Sequence, residues 1–269
     1  MKEQYLIIID LDGTLLQGFD HYDAETFAYL KTLTHQHKLV IATGRPYRSS
    51  KYYYDKLGLD TPIINYNGSL VHHPHDADFP KQLHTVSKEA VMNFITDLGD
   101  AFVNAFCEIE DDIYLYEESE EMEPYLHLEG GALFVGDFDE ILPSDPHGAI
   151  LVSTPNSDNI LTELVEKHYK DELKVRIWHN DDLVISELYP IHASKATGIQ
   201  TVQSYLNIPH ERTIAIGDGH NDLEMIAYVK YGVAMANSHP ELLDIAKIHT
   251  DSVANKGVMT FLKKFFPES

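Results

Sequence analysis

Residues 10–14 read Asp-Leu-Asp-Gly-Thr and follow directly on the apolar run Leu6–Ile9. In an extended segment, side chains i and i+2 share a side. Asp10 and Asp12 can therefore face one pocket while Leu11 points into packing and Gly13 lets the chain turn. Two carboxylates at the carboxyl end of a buried strand need a cation or a proton between them. Phosphoryl transfer is one chemistry that uses such a pair, because it requires an in-line nucleophile, charge neutralisation on the equatorial oxygens and a proton donor for the leaving alcohol. Asp10 can attack phosphorus as a carboxylate and form an aspartyl phosphate. Asp12 can protonate the leaving oxygen and then take a proton from the hydrolytic water.

Other loop residues extend this set. Thr43 supplies a hydroxyl and Gly44 an exposed backbone N–H, both neutral donors to phosphate oxygens. Lys195 stands at the start of the helical pattern 194–206, where an ammonium and a helix end both attract an anion. Asp218 and Asp222 add further carboxylates. Three or four acids converging on one crevice repel each other without a metal, and hard oxygen donors beside a phosphate favour Mg2+.

The elements that must position these residues are legible in outline. Leu6–Ile9, Leu39–Ala42, Pro62–Ile64, Thr213–Ile216 and Gly232–Met235 read as strands buried on both faces. Ala24–Gln36, Arg48–Lys56, Ser194–Leu206 and Asp222–Tyr228 read as helices between them. This alternation predicts a right-handed, doubly wound parallel α/β sheet of Rossmann-like type, with ligands beyond the carboxyl ends of the strands. The loops there are Asp10–Thr14, Thr43–Arg45, Asn65-Tyr-Asn-Gly68 and Gly217–Asp222. The middle breaks the rhythm. Helices at Val86–Leu98 and Asn159–Lys167, strands at Ile113–Tyr116, Ala132–Val135 and Ala149–Ser153, and a hairpin of Leu173–Trp178 with Leu183–Glu187 form an α+β pattern. The expected organisation is a catalytic core of residues 1–83 and 190–269 with an inserted α+β cap, residues 84–189, that carries substrate specificity.

With 269 residues, 43% of them hydrophobic, the chain can bury a sizeable core. Its net charge of −23 is unevenly spread: residues 84–189 hold 5 basic and 25 acidic residues, a balance of −20. Such a chain repels nucleic acid, and no stretch approaches the roughly 20 apolar residues of a spanning helix. Cys107 is the only cysteine, so no intrachain disulfide or thiolate metal site is possible. A cytoplasmic protein is expected, its partner a small phosphorylated metabolite and neither nucleic acid nor membrane.

Asp-Leu-Asp-Gly-Thr-Leu-Leu at 10–16, Thr-Gly-Arg at 43–45, Lys195, and Gly-Asp-Gly-His-Asn-Asp at 217–222 resemble, in order and spacing, the four motifs of haloacid dehalogenase-like hydrolases. The insertion between the second and third motifs, the segment Gly-Val-Ala-Met-Ala-Asn at 232–237 and Asn255-Lys-Gly-Val258 resemble the Cof-type phosphatases with an α/β cap. The resemblance spans both core segments, and the cap only by length and position. It implies Asp10 as nucleophile, Asp12 as acid and base, and Mg2+ held by Asp10, the Asp12 backbone carbonyl and Asp218. Asp222 is implied as a direct ligand or as the neighbour of one. Phosphate is implied to be held by Thr43, Gly44, Lys195 and Asn221. Ala196 departs from the glycine that follows the lysine in many relatives, and is compatible with a helix start.

Taken singly these motifs say little, and it is the ordered set that carries the reading. Gly-Asp-Gly-His-Asn-Asp also resembles half of a calcium loop, but the twelve-residue frame from Asp218 ends at Val229, not at an acid. His35, His37, His72, His73 and His75 match no helical pair for zinc. Tyr47, Tyr52, Tyr53 and Tyr54 read as a packed helix face and rim, and Arg45 and Arg48 either touch substrate or pair with nearby acids. Residues 178–181, Trp-His-Asn-Asp, form a candidate substrate loop of the cap. Three function classes follow: a Mg2+-dependent phosphomonoesterase of sugar or cofactor phosphates, a phosphomutase, and a noncatalytic metabolite-binding protein. The first leads, and the complete acid set argues against the third. The acidic cap favours neutral or amine-bearing leaving groups over polyanions.

Overall fold

The computed structural model describes residues 3–120, 122–180 and 183–267. The chain divides into two compact units, one formed by Met1–Arg45, Ser50–Gln82 and Ser194–Ser269, the other by Pro46–Ser49 and Leu83–Ala193.

The first unit is built on a five-stranded parallel sheet in the order Ile248–His249, Tyr231–Ala234, Thr213–Gly217, Leu6–Ile9, Lys38–Ile41. Leu6–Ile9 has a neighbour on each side, and none of its four residues is more than 2% exposed. The alternation of side chains explains its aliphatic sequence. Leu6 and Ile8 pack with Ile199, Val202, Ala215 and Met225, and Ile7 and Ile9 point to the opposite face, so both faces must be apolar. A bridge from Ala42 to Ile64 leads on to the strand Ile63–Asn65.

Helix starts are specified locally. Asp23 accepts from the Thr26 N–H at 2.7 Å and opens the helix Ala24–Leu33. Ser194 and Thr197 form a reciprocal capping box, each backbone N–H bonded at 3.1 Å to the other's hydroxyl, and Lys195 becomes the first residue of the helix Lys195–Leu206. Because the strands run parallel, Asp10, Thr43 and Asp218 all follow the carboxyl ends of three adjacent ones. The helix Gly257–Phe265 and the short hairpin of Leu16–Gln17 with His21–Tyr22 belong to this unit and were not anticipated from the sequence.

The second unit holds a six-stranded sheet in the order Leu133–Val135, Asp112–Leu115, Phe102–Ile109, Gly148–Ser153, Leu183–Pro190, Leu173–Asn180. All pairings are antiparallel except that of Leu133–Val135 with Asp112–Leu115. One face packs Ala105, Cys107, Leu151 and Leu188 against Val91 and Phe94 of the helix Lys88–Leu98 and Leu161 of the helix Asp158–Leu164. The other face buries Phe106, Ile113, Leu115, Val152 and Ile185 around Met122. The long strand Phe102–Ile109 at the centre of this sheet was not read from the sequence. The strand expected to end at Trp178 runs on through His179 and Asn180, where a loop was expected, and Asp181 falls outside the described residues. Arg48 pairs with Glu108 inside this unit, and its backbone N–H donates to Asp111 Oδ1 at 2.8 Å.

Asn104 sits on the central strand at 2% exposure, and its Nδ2 donates to the Glu117 carbonyl at 2.7 Å and to Ser119 Oγ at 3.1 Å. Asn104→Ala takes the side-chain acceptor from the Ala105 N–H, which donates to Asn104 Oδ1 at 2.8 Å with both residues buried. It is expected to destabilise the protein by about 1–3 kcal/mol, measured by urea unfolding followed through tryptophan fluorescence and far-UV circular dichroism.

Candidate active site

Lys195 is the centre of the cluster. Its ammonium donates to Asp10 Oδ1 and to Asp222 Oδ1, each at 2.6 Å, and all three side chains are at most 6% exposed. Asp222 spends its second oxygen on the backbone N–H groups of Asp218 and Gly219, both at 2.9 Å. It therefore folds its own loop and orients the lysine at once. Asp218 accepts from Thr14 Oγ1 at 2.8 Å and from Asn237 Nδ2 at 3.1 Å, and Asn237 also donates to the Gly13 carbonyl at 2.9 Å. Gly13 has φ +80°, and a Cβ there would lie 2.0 Å from Asp218 Oδ2, so only glycine lets the two loops approach this closely.

A second group of contacts runs through Asn67. Thr43, fully buried, accepts the Asn67 N–H on its carbonyl at 3.0 Å and the Arg45 N–H on its hydroxyl at 3.1 Å. Asn221 Nδ2 donates to Asn67 Oδ1 at 2.9 Å. A Cβ on Gly44 would stand 3.3 Å from the Asn67 amide. The expected phosphate holders Thr43, Gly44 and Asn221 thus converge on one asparagine, which itself sits at φ 53°. Asp12 lies apart from both groups. Its half-exposed carboxylate is gripped by Arg45, through Nε to Oδ2 at 2.8 Å and through Nη2 to Oδ1. Arg45 therefore pairs with an acid, one of the two roles the sequence allowed.

Asn67, Thr14, Asn237 and Arg45 as partner of Asp12 are the site residues that sequence reasoning did not assign. Asn67 had a signal in Asn65-Tyr-Asn-Gly68 after a strand, and Thr14 in its place within the first motif. Among the described residues, the one set of three or more acids, histidines or cysteines close enough to share a cation is Asp10, Asp218 and Asp222, whose ligand atoms all lie within 4.8 Å of one another. Of the histidines, His37 is buried, stacked on Phe266 and bonded to the Tyr5 N–H. Tyr53 and Tyr54 are buried and Tyr52 is exposed, as a packed face with a rim requires.

One ammonium serves three carboxylates here. Burial, then the charges of Asp222 and Asp218, hold the Asp10 carboxyl well above the ordinary carboxylate range despite Lys195. Burial pushes Asp218 up to about 6, with the Thr14 hydrogen bond opposing it and the Asp222 charge adding to it. Burial alone would lower the Lys195 pKa, but its two carboxylate partners outweigh it and keep the ammonium charged. The donors are all hard oxygens and the cluster carries surplus negative charge, so its chemistry fits a small divalent cation.

The chain matches the family model of haloacid dehalogenase-like hydrolases over residues 7–262. It is 33% identical over 265 residues to the 5-amino-6-(5-phospho-D-ribitylamino)uracil phosphatase YitU of Bacillus subtilis (strain 168), covering 97% of each chain. It is 25% identical over 250 residues to the HMP-PP phosphatase of Serratia proteamaculans (strain 568), covering 88% of this chain and 85% of that one. Its fold superposes on the crystal structure of TM0651 from Thermotoga maritima with a TM-score of 0.82 and 22% identity, over 99% of both chains.

The raised carboxyl of Asp218 has a thermodynamic consequence. Below about pH 3.8 it is protonated in both folded and unfolded chains. Between there and about pH 6 the folded chain keeps a proton that the unfolded chain has lost, so stability falls as pH rises, and above pH 6 the penalty is complete. In chelator-treated protein, Asp218→Asn is expected to raise stability by on the order of 1–2 kcal/mol at pH 7.5, with the gain vanishing near pH 4. Thermal unfolding across that range measures it.

Proposed function

Because the chain belongs to the haloacid dehalogenase-like hydrolases, we propose that it cleaves phosphomonoesters of small metabolites by transferring the phosphoryl group to Asp10 and then to water. It is a phosphatase, and its substrates are small phosphorylated metabolites such as sugar phosphates and cofactor phosphates. The observation that carries this reading is the buried Lys195 ammonium bridging Asp10 and Asp222, 2.6 Å from each, at the carboxyl ends of adjacent parallel strands.

In the first half-reaction an Asp10 carboxylate oxygen bonds to phosphorus while the bond from phosphorus to the leaving oxygen breaks. The leaving oxygen keeps the electron pair and takes the proton of the Asp12 carboxyl. In the second, a water oxygen bonds to phosphorus, its proton passes to the Asp12 carboxylate, and the Asp10 oxygen regains its electron pair. Lys195 has three N–H bonds, two of them spent on Asp10 and Asp222, which leaves the third for a phosphoryl oxygen. Asn221 spends one amide N–H on Asn67 and has a second for another oxygen. The Thr43 hydroxyl and Gly44 N–H complete the cradle.

Asp10, Asp218 and the Asp12 backbone carbonyl would hold Mg2+. Asp222 lies close enough to Asp10 and Asp218 to join them as a direct ligand, and it also supports the site through Lys195 and the loop backbone. When bound, the ion neutralises charge on the acids and on the transferring group. The second unit, as cap, would set substrate choice. Among the described residues no helix is long and apolar enough to cross a membrane, and the single, buried cysteine supports a cytoplasmic setting.

Phosphate release is expected from a panel that includes hexose phosphates, pyridoxal phosphate, flavin mononucleotide and 5-amino-6-(5-phospho-D-ribitylamino)uracil. Release should require Mg2+, and Asp10→Asn should lower it at least about 1,000-fold. Isomerised phosphate without release would establish a phosphomutase, and binding without turnover a noncatalytic protein. Within the panel, the balance of −20 across residues 84–189 predicts a higher kcat/KM for hexose monophosphates than for bisphosphates. A clear preference for bisphosphates would overturn that specificity reading.

A further inference from the structure

The Lys195 ammonium bonds Asp10 and Asp222, and Asp12, the proton donor of the proposed reaction, takes its cation from elsewhere. That cation is Arg45. The guanidinium meets both carboxylate oxygens in the fork geometry that fixes the plane of a carboxylate as well as its distance. Arg45 is itself immobilised. Its backbone N–H donates to Thr43 Oγ1 at 3.1 Å, and its carbonyl accepts from Asn65 Nδ2 at 2.9 Å and from the Tyr66 N–H at 3.3 Å. Its side chain is 9% exposed, with the guanidinium carbon 4.4 Å from the centre of the Phe19 ring and 5.8 Å from that of Tyr53. One of its nitrogens also donates to the Phe19 carbonyl.

Phe19 lies in the turn between Leu16–Gln17 and His21–Tyr22, a hairpin of two residues per strand that is too short to hold its shape alone. The same hairpin is tied to Asp12 by a bridge from Asp12 to Leu16. Arg45 thus joins three things: the Thr43 loop, the hairpin tip and the Asp12 carboxylate. The carboxylate is 47% exposed, so the pair adds little to folding stability, and its value lies in orientation.

We propose that Arg45 is a positioning residue for Asp12: one carboxyl oxygen stays on the guanidinium while the other leaves the fork to carry the proton to the leaving-group oxygen, with the Phe19 hairpin as second anchor of the arginine. The proposal rests on the phosphatase reading, and on Asp12 as the proton donor within it. An alkyl leaving group needs that proton. A p-nitrophenolate hardly does, because it leaves as a stable anion. Loss of Arg45 should therefore be felt by one substrate class and spared by the other.

The test compares kcat/KM, which reports the steps through departure of the alcohol, for the best alkyl phosphate of the panel and for p-nitrophenyl phosphate. Arg45→Ala is expected to lower it about 10–100-fold for the alkyl ester, part of what a positioned proton donor supplies, and less than about 3-fold for the aryl ester. Arg45→Lys keeps a point charge without the fork and should fall between. Phe19→Ala should show the same bias, several-fold smaller. Asp12→Asn should show the bias at full strength, and adding Arg45→Ala to it should cost nothing more. Equal losses on both esters, or losses that add to those of Asp12→Asn, would overturn the positioning role. No turnover of either ester by the unsubstituted chain would overturn the phosphatase reading and this inference with it. Absence of the bias in Asp12→Asn alone would overturn Asp12 as donor.

Discussion

A fully buried ammonium held between two buried carboxylates is costly to assemble, and much of the first unit is arranged around the one at Lys195. Removing water from three such charges costs several kcal/mol per ion unless each finds partners of good geometry. The chain supplies them. Asp222 uses both oxygens, Asp10 and Lys195 use each other, and the Ser194 capping box fixes where the lysine's helix begins. Taking away the lysine would leave two uncompensated buried acids, whereas an exposed pair such as Lys51 with Asp55 could be lost with little effect.

The neighbouring loops serve the same end by neutral means. Thr14 and Asn237 each give Asp218 a hydrogen bond, Gly13 yields room for it, and Asn67 gathers the Thr43 loop and Asn221. Charge is therefore handled in two ways within one crevice. The floor is a paired, dry cluster, and the rim is a wet ion pair at Asp12 and Arg45. A buried acid keeps its place and is poorly suited to trading protons with a departing alcohol and an arriving water. A half-exposed one can do so, provided something else aims it.

What the sequence made legible follows from how local each signal is. Leu6–Ile9 declares itself because a strand buried on both faces must be aliphatic throughout, and Lys195 because a helix pattern starts on it. Phe102–Ile109 stayed hidden because Asn104 and Glu108 interrupt its apolar run. Asn104 is there to bond a distant carbonyl and Glu108 to meet Arg48, and neither partner is visible from the strand itself. The Leu16–Gln17 and His21–Tyr22 hairpin is too short to show a period. Asn67 takes a left-handed backbone whose purpose is a hydrogen bond 154 residues away. His179 and Asn180 read as a loop because they are polar and follow the tryptophan, but cross-strand pairing with Val184 and Leu183 carries the strand through them.

The insertion of one unit inside the other separates Asp10 from Lys195 by 185 positions. A chain emerging from its amino end lays down Asp10, Thr43 and two adjacent strands early. The strand Thr213–Gly217, which covers the other edge of Leu6–Ile9, and the lysine that neutralises Asp10 come only after the whole inserted unit. Until then the most apolar strand of the sheet has an open edge and its terminal carboxylate has no counter-charge. Closing that gap is a long-range event with a large loop to pay for in chain entropy. The inserted unit contains its own sheet and its own apolar clusters, so it can collapse locally in the meantime. A chain ordered over that stretch has less conformational freedom left to lose when the late segment pairs with the early one.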